Sequence, residues 1–193
     1  MSTTLDGSIE VYLESSDSWV FIMDTFGLFY QDYNIFAALF GVRNYIDIEP
    51  IAAYRGIPED ITKQSKRIIA GNVDNFDHSY ITYDELINIS DELKTRKILS
   101  IQCNAKGKIS QNGFISRNRI DYKDSDILSD NQGQKIIKLE NENVGIRYFI
   151  NRVVSLNEIL ESNYEFKILL KIMDLLSSKY DKDKIRWLVG FTI

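Results

Sequence analysis

The chain has 193 residues, a formal charge of −5 and a single cysteine, Cys103. Its 44% hydrophobic and 12% aromatic content excludes a globally disordered chain. The acidic balance argues against a binder of bulk nucleic acid, whose affinity comes from neutralising phosphates. One cysteine also excludes an internal disulfide framework and a cysteine zinc cluster. No basic segment precedes an apolar run at the N-terminus, and no apolar run approaches a membrane span. The expectation is a soluble cytoplasmic protein without a membrane partner.

In chain order, Ser8 to Glu14 alternates Ile9, Val11 and Leu13 with polar neighbours, the period of a half-buried strand. Trp19 to Asp24 reads as its hairpin partner. Asp32 is placed to cap a helix from Tyr33 that carries Ile35, Phe36, Leu39 and Phe40 and stops at Gly41. A long loop follows, and Asp60 is read as the cap of a second helix over Ile61 to Ala70. Gly71 to Asp77 reads as a polar loop. Thr82 with Glu85 forms a capping box for a helix expected to reach Leu93. Lys97 to Asn104 and Ile109 to Ser116 read as strands around a turn. Arg117 to Gln134 lacks periodicity and reads as a loop or mobile insertion. Lys135 to Glu140 and Gly145 to Asn151 are short strands, and Ser155 starts a capped helix. Tyr164 to Lys179 is amphipathic, and Lys184 to Ile193 is a central apolar strand. The class is α+β: a mixed or mostly antiparallel sheet with several helices packed on it. We expect a single domain over 1–193 with a hairpin or loop insertion at about 97–150.

The loop after Gly41 carries the chemistry. It holds Arg43, Asn44, Tyr45, Tyr54, Arg55 and Gly56, together with both prolines, Pro50 and Pro58. A guanidinium fork matches phosphate or carboxylate in two hydrogen bonds. Tyr45, Tyr54 and Phe76 or Tyr80 can stack on a planar base. The structural alternative is that both arginines pair with Asp47, Glu49, Glu59 or Asp60 and brace the loop. His78, the only histidine, lies beside Asp74, Asp77 and Ser79. It is a general base or a helix brace; a zinc site draws on more than one His or Cys, so no metal is expected. Phosphate-loop, dinucleotide and nucleophile-elbow signatures are absent. Lys63, Lys66 and Arg67 form a small basic face, Arg147 and Arg152 are further cations, and Cys103 reads as core.

Four segments together resemble a family of phage- and prophage-encoded proteins of about this length. They are Gly41-Val42-Arg43-Asn44, then Pro50-Ile51 with Arg55-Gly56, Pro58 and Asp60, then Asp77-His78-Ser79 with Thr82 and Glu85-Leu86, and the strand from Arg186 to Phe191. The N-terminal strand pattern is approached by Ile9 and Tyr12, with Glu14 following Leu13. The middle of the chain is unmatched. Relatives tend to carry a histidine in the first strand where this chain has Glu10, which weakens a two-histidine metal site. The resemblance implies a counter-defence role in the host cytoplasm.

These readings favour a non-enzymatic protein that sequesters a small nucleotide-like anion, such as a cyclic nucleotide or cyclic ADP-ribose type immune signal, with no cofactor. Arg43 and Arg55 hold phosphate, Tyr45, Tyr54 and Tyr80 stack, and the loop with His78 and Ser79 closes the pocket. One alternative is a phosphodiesterase or other hydrolase with His78 as acid or base and Asp74 or Asp77 assisting. Another is a protein-protein inhibitor acting through an acidic surface or the Arg117 to Gln134 loop. The apolar terminal strand and the aromatics permit a homo-oligomer.

Overall fold

The alternation around Ile9 builds a strand longer than its pattern, β1 (Thr4–Leu13), and Trp19 lies in its hairpin partner β2 (Ser18–Asp24). The structure, a computed structural model, describes residues 2–29, 31–71, 74–89, 96–109, 116–120, 127–129, 133–141 and 145–193. Its first sheet has the order β2-β1-β9-β3, where β3 is Asn75–Thr82 and β9 is Ile185–Thr192. The second has the order β5-β4-β8-β7-β6, from β4 (Arg96–Cys103), β5 (Ser116–Asn118), β6 (Ile127–Ser129), β7 (Lys135–Asn141) and β8 (Gly145–Ser155). All described pairings are antiparallel. The α+β class is as expected, but with two sheets in place of one.

The terminal strand is central because both its faces are covered. On one face Trp187 and Phe191 meet Phe40 of α1 (Tyr33–Phe40), with ring centroids 5.5 and 5.9 Å apart. Phe29 and Phe36 complete that cluster at 5.2 Å each. Such pairs contribute about 0.5–1.5 kcal/mol each beyond area burial. On the other face α2 (Lys63–Ala70) crosses so closely that a Cβ on Gly190 would lie 2.1 Å from the Ile69 carbonyl. Only glycine fits there. The same apolar cluster continues into the second sheet through Leu99, Ile101, Ile136, Ile150 and Val154.

Asp32 caps α1 as expected, its carboxylate accepting from the Ile35 amide at 3.1 Å. Its other oxygen accepts from Asn163, which caps α5 (Tyr164–Ser177), so two helix starts are interlocked. Burial pushes the Asp32 carboxyl above its ordinary value. Thr82 and Glu85 form the full capping box of α3 (Tyr83–Ile87), and Ser155 caps α4 (Leu156–Ser162). Among the described residues no helix is long and apolar enough to cross a membrane.

Four expectations need correction. The cap of α2 is Thr62, whose hydroxyl accepts from the Ser65 amide, and Asp60 is engaged elsewhere. Asn75 to Asp77, read as loop, begins strand β3. α3 ends at Ile87 with Asn88 as its cap, and residues 90–95 lie outside the described set. The stretch from Arg117 to Gln134 contains the end of β5 and all of β6; residues 121–126 and 130–132 lie outside the described set. Of the returning strand, Ile109 bridges Cys103 and Ser116 pairs with Ile101, while residues 110–115 are likewise outside it.

Candidate functional site

The loop from Gly41 to Asp60 has no helix or strand, yet it is pinned along its length. Gly41 takes the left-handed conformation that ends α1, with φ 76°. Asn44 folds back on Ile48, its amide donating to the Ile48 carbonyl at 2.7 Å and its carbonyl accepting from the Ile48 amide at 3.2 Å. Ile46, Ile48 and Ala52 are buried in the core, and the amides of Ile51 and Ala52 donate to the carbonyls of Ala38 and Leu39 on α1. The apolar residues thus fix the loop, and its polar residues are presented from a rigid base.

The second half of the loop covers the outer edge of β3, where unpaired backbone would otherwise be exposed. The Gly56 amide donates to the His78 carbonyl at 3.0 Å, and the Ser79 hydroxyl donates to the Ala52 carbonyl. The Arg55 guanidinium is occupied within the fold. It grips Glu85 in two hydrogen bonds of 2.7 and 2.9 Å, reaches the Tyr80 carbonyl at 3.3 Å, and lies 5.6 Å from the centroid of the Tyr80 ring. This pairing with Glu85 raises the Arg55 pKa. Burial pushes the Glu85 carboxyl up, but Arg55 and the Thr82 cap outweigh it and hold it below its ordinary value. Arg55 therefore braces the loop, as the structural alternative holds, through a carboxylate thirty residues away that was not among the candidate partners.

His78 sits in a bulge of β3 where the pairing with β9 slips between Phe76 and Ser79, and Asp77 takes φ 47°. Its Nε2 lies 3.0 Å from the Ile69 carbonyl in the last turn of α2. A carbonyl only accepts, so Nε2 carries the proton and the ring braces the helix end. Among the described residues the ring has no bond to Asp74 or Asp77.

Arg43 is the contrasting case. Its Nε donates to the Thr3 hydroxyl at 2.8 Å and Nη1 to the Tyr45 hydroxyl at 3.4 Å. The Thr3 amide donates in turn to the Tyr33 hydroxyl at 3.1 Å, and the Tyr33 and Tyr45 rings meet edge-on at 6.3 Å. Arg43 is half-buried and has φ 52°, a conformation that costs a non-glycine residue energy. No carboxylate among the described residues pairs with it. Tyr45 is 59% exposed beside it, while Tyr54, at φ 54° and 67% exposed, belongs to the other half of the loop. Among the described residues no hydrogen bond, ion pair or ring contact joins Arg43 to Arg55, so the sequence candidates fall into two groups.

Arg152, a further candidate cation, pairs with Glu158. Sequence reading missed Thr3 and Tyr33 at Arg43, and it missed the engagement of Arg186. That side chain is 4% exposed and donates to Glu10, fully buried, at 2.7 and 2.9 Å, and to Asp60 at 2.8 Å. It stacks 3.7 Å from the centroid of Trp19, whose indole N–H donates to Asp60 at 2.8 Å. The second Glu10 oxygen accepts from the Thr62 amide at 2.9 Å, fixing the start of α2. Burial pushes Asp60 up, but Arg186 and Trp19 outweigh it and leave it below its ordinary value. The available signal was a charge in each of two apolar strands, Glu10 and Arg186, which the register places directly opposite. Comparison with models of known families, with characterised proteins and with solved structures gives no match.

Proposed function

We propose that the protein captures a small nucleotide-like anion and holds it without cleaving it. Taken with the phage-family resemblance, the ligand class is an immune signal of the cyclic nucleotide or cyclic ADP-ribose type. The observation that carries the reading is Arg43, a half-buried guanidinium bonded to two hydroxyls and, among the described residues, to no acid. Arg43 contacts phosphate, Tyr45 offers an exposed ring for a base, and Tyr33 and Thr3 hold the arginine in place. Arg55, Gly56, Ser79 and His78 position the loop, and capture without cleavage is favoured by the engagement of Nε2 of His78 with Ile69.

The test is thermal melting of the purified protein against cyclic mononucleotides, cyclic dinucleotides and cyclic ADP-ribose isomers, each mixture then chromatographed. A ligand at a hundredfold its dissociation constant adds about 2.7 kcal/mol to stability. The expected result is a raised midpoint with the ligand recovered intact, lost in Arg43→Ala. A new product that disappears in His78→Ala would establish the hydrolase instead. No shift across the panel would overturn ligand capture.

A further inference from the structure

Arg43 is the first Lys or Arg in the chain, and between Met1 and Thr62 only Arg55 joins it. The same stretch carries acids at Asp6, Glu10, Glu14, Asp17, Asp24, Asp32, Asp47, Glu49, Glu59 and Asp60. Arg55 is paired with Glu85, so it adds no uncompensated charge to this stretch. Among the described residues Arg43 bonds to Thr3 and Tyr45, and Tyr33 accepts from the Thr3 amide and meets the Tyr45 ring, all uncharged; Asp47 and Glu49 follow within the same loop, both exposed.

One guanidinium bonded to uncharged hydroxyls sets a charge limit on its ligand. We infer that the Arg43 site selects a ligand presenting a single negative charge, a cyclic phosphodiester of a nucleoside, over phosphomonoesters, pyrophosphates and polyphosphates. This inference rests on the capture reading above and narrows its ligand class. A phosphodiester carries one charge spread over two free oxygens, which a guanidinium fork matches in both geometry and charge. A phosphomonoester carries close to two charges at neutral pH. Among the described residues no cation is bonded beside Arg43 to meet the monoester's second charge, so the desolvation of that charge goes uncompensated. Polyphosphate sites elsewhere draw on several cations or a metal, and among the described residues no group of three His, Cys, Asp or Glu side chains is gathered to hold one.

A series that changes charge at constant base is the direct test: adenosine, adenosine 3′,5′-cyclic monophosphate, adenosine 5′-monophosphate and adenosine 5′-diphosphate, titrated calorimetrically, with the guanosine series in parallel. We expect affinity to peak at the cyclic monophosphate. The neutral nucleoside should bind about ten- to hundredfold more weakly, the value of a charge-assisted hydrogen-bonded contact. Arg43→Gln should bring the cyclic monophosphate down to the level of the nucleoside, while circular dichroism and melting report a folded protein. Affinity that rises from the cyclic monophosphate to the diphosphate would overturn the charge limit and leave capture standing. Binding of a cyclic dinucleotide or cyclic ADP-ribose isomer, with none of either series, would do the same. Silence across both series and the wider panel would remove the capture reading with it.

Discussion

Arg43 and Arg55 share one loop, twelve positions apart, and have opposite fates. Arg55 meets a carboxylate that is itself fixed by a helix cap, so its charge is spent on joining the loop to α3. Among the described residues Arg43 meets only hydroxyls. The difference teaches that an arginine-rich loop cannot be read as a single anion site; what decides each residue is the partner that the fold brings to it. Arg186 supplies the far end of the scale, an arginine almost wholly buried and bonded to two carboxylates.

The largest expected effect is therefore at Arg186. Removing one partner of a buried pair leaves the other charge uncompensated, at a cost of about 3–5 kcal/mol. Arg186→Ala should lose that much in urea unfolding. Glu10→Gln combined with Arg186→Met should lose clearly less, because neither charge remains. If the double variant is as unstable as the single, the network is stabilising in its own right, beyond the penalty of an unpaired buried charge.

Arg55→Ala comes next. The pair is about a third exposed, with side-chain exposures of 28% and 36%, so solvent screens it. Its geometry is bidentate and Glu85 also serves the Thr82 cap, so the loss should be about 1–2 kcal/mol. Melting of Arg55→Ala and Glu85→Gln checks this, and their combination should show coupling. Purely additive losses would mean that the two side chains do not act as a pair.

The pH dependence of that loss separates an ion pair from simple packing. Glu85 is depressed in the folded state, so the unfolded chain binds more protons as pH falls. The stability it contributes is present above the ordinary carboxylate range, near pH 4, and is lost as pH falls through its lower folded value. Asp32 is raised and runs the other way, its contribution being lost as pH rises. It cancels in the difference between wild type and Arg55→Ala. That difference should be flat near neutrality and shrink below about pH 4. A difference unchanged down to pH 2 would show that Arg55 acts through its hydrophobic stem.

The sequence revealed most where the signal was local. The β1 alternation, the Asp32 and Ser155 caps and the Thr82–Glu85 box all complete themselves within a few residues, and all are found where expected. β3 was hidden because the bulge at Asp77 and His78 breaks its alternation. β5 and β6 span three residues each, too short to show a period of two, and are defined by their pairing with β4 and β7. Asp60 and Thr62 are both competent caps, and the choice fell to Arg186, which takes the aspartate. The site was half legible for the same reason. The arginines and tyrosines could be named, but Glu85, Thr3 and Tyr33, which separate the two arginines, are brought in only by the fold.

The smallest stability effect should be at Arg43, and it carries the comparison furthest. Its hydrogen bonds go to neutral hydroxyls, and Tyr45 can exchange its bond for one to water, so Arg43→Ala should change stability by no more than about 0.5 kcal/mol. Alanine keeps the strain of φ 52°, because its Cβ is as unwelcome there as that of arginine. Glycine does not, so Arg43→Gly should melt higher than Arg43→Ala, by about 1 kcal/mol in stability. A residue in a costly conformation, whose removal the fold tolerates and whose replacement by glycine it welcomes, is held there for something other than folding. Should Arg43→Gly instead be less stable than Arg43→Ala, the conformation is not strained, and Arg43 joins Arg55 as a brace.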